Sequence, residues 1–188
     1  MKKLIFSAVL VLSLGLVGCG EDVTKEDKTK EEIQTPVSSD KTDEENAETN
    51  EDIYFKNNEA KLNDFRINIT ETKVIQVGDK GNEYGEKPIF AIWYKTTNLS
   101  DTDINPASAW LDVFTAIQDN NPNAVNEISI GMLPDDRFLD TQLETIKKDG
   151  TVENAVAYEL DDLETPVTLV ANQYFDKEFG RQDYKIKQ

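Results

Sequence analysis

Pro88-Ile89-Phe90-Ala91-Ile92-Trp93-Tyr94-Lys95-Thr96-Thr97-Asn98, residues 88–98, is the stretch that decides the fold. Successive side chains of a strand point to opposite faces, so Phe90, Ile92 and Tyr94 share one face while Ile89, Ala91 and Trp93 share the other. Both sets are apolar. A strand with one wet face carries apolar residues on a single parity, so this one is expected to be covered on both sides, as a central strand is.

Moving outward from it, the chain keeps reading as strands. Between Leu62 and Val77, Phe65, Ile67 and Ile69 share a parity against Arg66, Asn68 and Thr70, the period-two pattern of a half-buried strand. The segment 78–87 carries three glycines and reads as a connecting loop. After Asn98 the polar run to Asp103 breaks the chain. Asn105-Pro106 is placed to cap a helical turn running through Trp110, because proline is tolerated at the first helical position. Phe114 to Gln118 reads as a strand, closed by the turn Asp119-Asn120-Asn121-Pro122-Asn123. Residues 124–133 fit neither period. Phe138, Leu139, Leu143 and Ile146 have roughly helical spacing within 136–148, with Gly150 placed to stop a helix, so that segment is open between helix and loop. Val152, Val156, Tyr158 and Leu160 share a parity, a turn follows at Asp161-Asp162-Leu163-Glu164, and Val167, Leu169 and Ala171 alternate in the next strand. Tyr184 and Ile186 alternate with Lys185 and Lys187 in a last short one. At least six strands at this spacing predict an all-β fold, an antiparallel two-sheet sandwich over 53–188.

The charge of −17 is unevenly spread along the 188 residues. Residues 20–52 hold 13 acidic against four basic residues and no aromatic ring, too little apolar surface to offset the entropy of ordering, which predicts a disordered acidic tether. The remaining acids, 24 against 14 basic residues, lie in the strand-rich part. A chain this acidic is repelled by phosphate backbones, and no cluster of Lys or Arg offers a footprint, so no nucleic-acid partner is expected.

The N-terminus predicts location. Lys2-Lys3 precedes an apolar stretch of 14 residues, Leu4 to Val17, the length of a signal-peptide core and short of the roughly 20 residues of a membrane-spanning helix. It ends in Leu16-Val17-Gly18-Cys19, which resembles the lipobox of bacterial lipoproteins. That resemblance implies cleavage of residues 1–18 and attachment of a diacylglycerol, with palmitoyl-type chains, to Cys19. Cys19 is the single cysteine, so no internal disulfide can form and the fold must rest on its core. Two or more acyl chains anchor a protein stably where one does not.

The segments Asp64–Thr70, Lys87–Asn98, Thr115–Asn120, and Tyr158–Asp162 through Pro166–Leu169 resemble a domain-of-unknown-function family (number 5067) of Gram-positive surface lipoproteins. The likeness covers residues 54–187 and implies an immunoglobulin-like sandwich with Trp93 as its core tryptophan. It brings no catalytic residue and no cofactor.

The chemistry open to the chain is narrow. The sequence has no histidine, which removes Ser-His-Asp and Cys-His constellations and the His-rich zinc sites. Carboxylate pairs of the glycosidase kind remain possible in composition, but no pair stands out. Asp119-x-Asn121-x-Asn123 has the spacing that opens a calcium loop, yet Ala124 stands where glycine is needed and Ile130 where a bidentate Glu is needed. An Asx-stabilised turn is the simpler reading. Asp161, Asp162 and Glu164 read as a solvated acidic loop. Asn68-Ile69-Thr70 and Asn98-Leu99-Ser100 match the glycosylation pattern by chance. Trp93, Tyr94 and Trp110 are either core or lining of a cleft. No catalytic, cofactor or metal residue is therefore assigned. The expectation is a non-enzymatic module, lipid-anchored through Cys19 on the outer face of the membrane, binding a protein or cell-wall ligand through loops 78–87, 119–127 or 161–166. A carboxylate-dependent hydrolase and a structural or stress-related envelope protein are the alternatives.

Overall fold

A computed structural model describes residues 52–173 and 177–186. The leader over 1–18, Cys19 and the tether up to residue 51 lie outside the described residues. In chain order the elements are β1 (Tyr54–Lys56), β2 (Glu59–Lys61), β3 (Phe65–Ile75), β4 (Ile89–Asn98), α1 (Pro106–Val113), β5 (Phe114–Gln118), β6 (Thr151–Glu159), β7 (Val167–Gln173) and β8 (Lys177–Tyr184), with a single 3₁₀ turn at Asp136–Phe138. Two sheets form, ordered β1-β2-β3-β4-β6 and β5-β7-β8. Every pairing is antiparallel. The expected all-β sandwich is present.

Between the sheets lies the main core. Phe90, Ile92 and Tyr94 of β4 meet Ile67 and Ile69 of β3, Tyr158 of β6 and Leu169 and Ala171 of β7. Helix α1 supplies Trp110, whose ring centre lies 4.5 Å from that of Tyr94 and 4.4 Å from that of Phe114. The indole Nε1 donates to the Tyr158 hydroxyl at 2.8 Å, so the large aromatic ring is buried without an orphaned donor. Burial pushes the Tyr158 phenol up to about 12. Asn105 caps α1 as expected, its side chain accepting from the Ser108 N–H at 2.9 Å. The helix runs one turn past Trp110 because Ala109, Trp110 and Val113 continue one buried stripe.

β4 is covered on both faces, as its two apolar parities require. Its other side carries Ile89 and Ala91, which pack with Ile75 and Ala157 into a second, small cluster, Trp93 lying half-buried against it. The resemblance implied a core Trp93, and this is corrected: Trp93 is on the outer face because it shares the parity of Ile89, and Trp110 is the tryptophan between the sheets. β3 serves both faces through a bulge between Ile69 and Glu71. The extra residue switches parity, so Ile69 points inward, Val74 packs on the main core and Ile75 reaches the outer cluster.

Two segments differ from expectation, and two that the sequence left open are resolved. β1 and β2 form a hairpin turned by Asn57 and Asn58, at φ 51° and 65°. Two residues of positive φ are what a tight hairpin of the right twist needs, and Asn tolerates that conformation best after Gly. The last strand lies at 177–184, before the segment expected, because its sequence is that of a polar edge strand with one face on the core. The open choice over 136–148 resolves as turns: Asp135 caps the short 3₁₀ turn, and Ile146 pairs with Ile104. Leu139 and Leu143, which a helix would have buried, are exposed. The aperiodic stretch 124–133 joins the sheets, bridging to β5 at Glu127 and to β6 at Ile130.

Candidate binding groove

The three loops singled out in sequence come together at one end of the sandwich, yet two of them are occupied with each other. Asp161 bonds Lys87 at 2.6 Å and accepts from Asn126 at 2.9 Å, and Asp162 accepts from Asn120 at 2.9 Å. Gln118, fully buried, donates to the carbonyls of Asp162 and Thr165 and accepts from the Asp161 N–H. Asp162 also receives the N–H groups of Glu164 and Thr165. The Asn120 amide and these backbone donors hold its carboxyl well below the usual carboxylate range. Asn121 accepts from the Asn123 N–H, the Asx turn expected there. Among the described residues no three acids are grouped to hold a metal ion. Asn98 is buried, donating to the carbonyls of Thr102 and Ile146, and so is out of reach of any modifying enzyme.

The remaining loop builds a concavity. Residues 76–88 and 131–137 stand as two walls over the outer face of β3 and β4, enclosing about 630 Å³. Such a volume suits a ligand of drug or short-oligomer size. Its floor is Ile75 and Trp93, and its rim is Tyr84 and Met132, which are 86% and 63% exposed.

Each wall has a fastening. In the first, buried Asn82 donates to the Lys87 carbonyl at 2.9 Å and its own carbonyl accepts from the Gly78 N–H, closing the loop on itself. Gly81 has φ +93°, and a Cβ there would lie 2.4 Å from the Pro134 carbonyl oxygen. Only glycine lets the two walls touch. The second wall is tied to β6 by Gly131 N–H on the Ala157 carbonyl, and to the floor by Trp93 Nε1 on Asp135 at 2.9 Å. Arg137 grips the same carboxylate through Nε at 2.9 Å and through Nη2. The Arg137 guanidinium, helped by Trp93, holds the Asp135 carboxyl well below its usual range.

The groove thus offers a half-buried indole, an exposed phenol and a thioether beside charges of both signs. Lys73 and Lys80 line it, and among the described residues neither is ion-paired. Of its acids, Asp135 is committed to Arg137 and Trp93, and Glu83 accepts from the Gly81 N–H. This arrangement suits recognition by stacking and hydrogen bonding. Of the expected cleft aromatics, Trp93 lines the groove, while Tyr94 and Trp110 lie between the sheets. The wall 131–137 was missed in sequence. Its signal was Met132-Leu133 in an otherwise polar loop, followed by Pro134.

The model of a family described as Domain of unknown function (DUF5067) matches residues 40–173. A solved structure of a Staphylococcus aureus protein, provisionally described as a lipoprotein, is similar with a TM-score of 0.61 and 26% identity, over 72% of this chain and 92% of that one. No curated protein matches the chain.

Proposed function

The chain belongs to the family described as Domain of unknown function (DUF5067), and from that premise we propose that it is a membrane-tethered, non-enzymatic binding module whose recognition surface is the groove over Trp93. The observation that carries this reading is the pair of fastened walls, touching at Gly81 and Pro134, that stand over an aromatic floor with Tyr84 and Met132 left bare. Exposed large apolar groups gathered around a concavity are a feature of ligand-binding grooves, which supports the reading.

Anchoring is through Cys19, on the outer face of the membrane, with residues 1–18 removed. The lipobox-like Leu16-Val17-Gly18-Cys19 and the similarity to the staphylococcal protein support this. Cys19→Ser should release the protein from membrane to medium. Unchanged retention would contradict the anchor.

The binding reading is tested by titrating cell-wall fragments, peptides and proteins against the soluble domain and its Tyr84→Ala variant. Saturable binding without turnover, weakened by the substitution, is the expected result. Product formation that disappears when one particular Asp or Glu is neutralised would replace it with the hydrolase reading.

A further inference from the structure

β6 is an edge strand of the larger sheet, and its pairing with β4 runs from Thr151 to Glu159 without a bulge. Backbone parity tells which of its groups face outward. Just past the strand the Leu160 N–H donates to the Pro88 carbonyl across the β4 side, so even-numbered residues of β6 bond to β4 and odd-numbered ones turn away. At one end the outward groups are used: the Glu159 N–H donates to the Ser129 carbonyl, and the Ala157 carbonyl accepts from the Gly131 N–H. Beyond Gly131 the chain leaves β6, Met132 and Leu133 passing into the groove wall. The Ala157 N–H and both backbone groups of Ala155 and of Glu153 are therefore without a protein partner among the described residues. The other edges are closed or blunted. Segment 126–128 bonds to the outer side of β5, β8 lies against β1 at Gly180 and Phe55, and β3 and β8 each carry a bulge. Bulges and prolines are what keep an edge from pairing with another chain, and the open part of β6 has neither.

Along this open stretch runs a cavity of about 160 Å³. Ala107 and Leu111 of α1 form one bank, Ile130 and Leu133 the other, and residues 154–157 of β6 lie between them. Apart from Gln142 and Asn154 the lining is apolar. Ala155 is 3% exposed, whereas Leu111 and Ile130 are 51% and 48% exposed, so the strand edge is sunk between banks that stand above it. A slot of that shape admits one extended chain. It does not admit the sheet edge of a second copy, whose own α1 and segment 130–133 would meet these banks first. Charge narrows the occupant further. The strand-rich part holds 24 acidic against 14 basic residues and the tether 13 against four, so the chain's own tether is repelled and a basic segment is favoured. We infer that the outer edge of β6 is a strand-addition site for an extended, basic segment of a partner polypeptide, its backbone paired with Glu153 and Ala155 and an aliphatic side chain lying between Leu111 and Ile130. The site is separate from the groove over Trp93 and does not depend on it, although Leu133 lines both.

The probe is the synthetic peptide Lys-Thr-Val-Thr-Val-Lys with blocked ends, titrated into the full chain carrying Cys19→Ser while the backbone amide NMR signals are followed. Saturable shifts at the amides of Glu153 and Ala155 are expected, with slower hydrogen exchange at both on binding. Methylating every second nitrogen of the peptide gives two isomers. The isomer whose methyls face β6 should bind at least about tenfold more weakly than the parent, and the other nearly as well as the parent. Ala155→Pro removes one outward donor at a position where a strand tolerates proline, and should weaken the parent peptide about tenfold. Should that variant not fold, the two isomers still decide the matter. Glutamate in place of both lysines should weaken binding about fivefold at low salt. Equal binding of the two isomers, tighter binding of the glutamate peptide, shifts confined to 76–88, or no saturable binding of the lysine peptide would overturn the assignment.

Discussion

The two faces of β4 carry apolar residues in nearly equal number, and the molecule uses them differently. Phe90, Ile92 and Tyr94 are sealed beneath a second sheet and helix α1. Ile89, Ala91 and Trp93 are covered by two loops alone, and those loops stop short of closing. A face covered by another sheet becomes core, whereas a face covered by loops becomes core at one end and a groove at the other. The contrast is summed up in the two tryptophans: Trp110 is 1% exposed and donates to a buried phenol, while Trp93 is half-buried and donates to a carboxylate at a wall. Stability should therefore reside on the inner face and recognition on the outer one.

The largest expected effect comes from breaking the inner face. Trp110→Ala removes a ring packed at a tilt against Tyr94 and Phe114 and strands the Tyr158 hydroxyl, at a cost of about 3–5 kcal/mol. Thermal or urea unfolding should show a large drop or no folded state at all. A loss below about 1 kcal/mol would show that Trp110 is not a core residue.

A smaller effect is expected at Gly81→Ala, which tests the outer face. Positive φ and the approach to the Pro134 carbonyl should cost about 1–3 kcal/mol, with the loss confined to the two walls. Hydrogen exchange should quicken at 76–88 and 131–137 while β4 to β7 stay protected. Uniform loss of protection would mean that the walls and the core unfold as one unit.

The smallest effect belongs to Asp135→Asn, about 1 kcal/mol at neutral pH. Its sign with pH follows from the lowered pKa. A carboxylate held below its unfolded value of about 3.9 stabilises fully above that pH and loses the contribution as acid titrates it in the folded state. The gap between wild type and variant should be full at pH 7 and narrow progressively as the pH falls below about 4. A constant gap would remove the carboxylate charge from the account.

How legible this was in sequence differs between the faces. The double parity of β4 predicted two covers, and β5 was read at its true ends, because period-two burial writes itself into apolar positions. The Asn105 cap was legible for the same local reason. The hairpin at Asn57-Asn58 was overlooked because its strands are three residues each, too short for a periodic signal. β8 was misplaced because an edge strand such as Lys-Glu-Phe-Gly-Arg-Gln-Asp-Tyr buries little and so carries a weak pattern. The candidate site was half legible. Loop 78–87 was marked by its glycines, but its partner wall at 131–137 is held by long-range contacts, Trp93 to Asp135 and Gly81 against Pro134, which no local window contains.

The chain has two tryptophans, one on each face, and this permits a direct measurement. In a Trp110→Phe variant the indole of Trp93 is the sole reporter, and its fluorescence can be followed while envelope glycans, peptides and proteins are titrated in. A saturating ligand is expected to shift or quench Trp93 emission along the same isotherm that calorimetry gives for binding. A ligand that saturates by calorimetry and leaves that emission untouched would place recognition elsewhere and contradict the account.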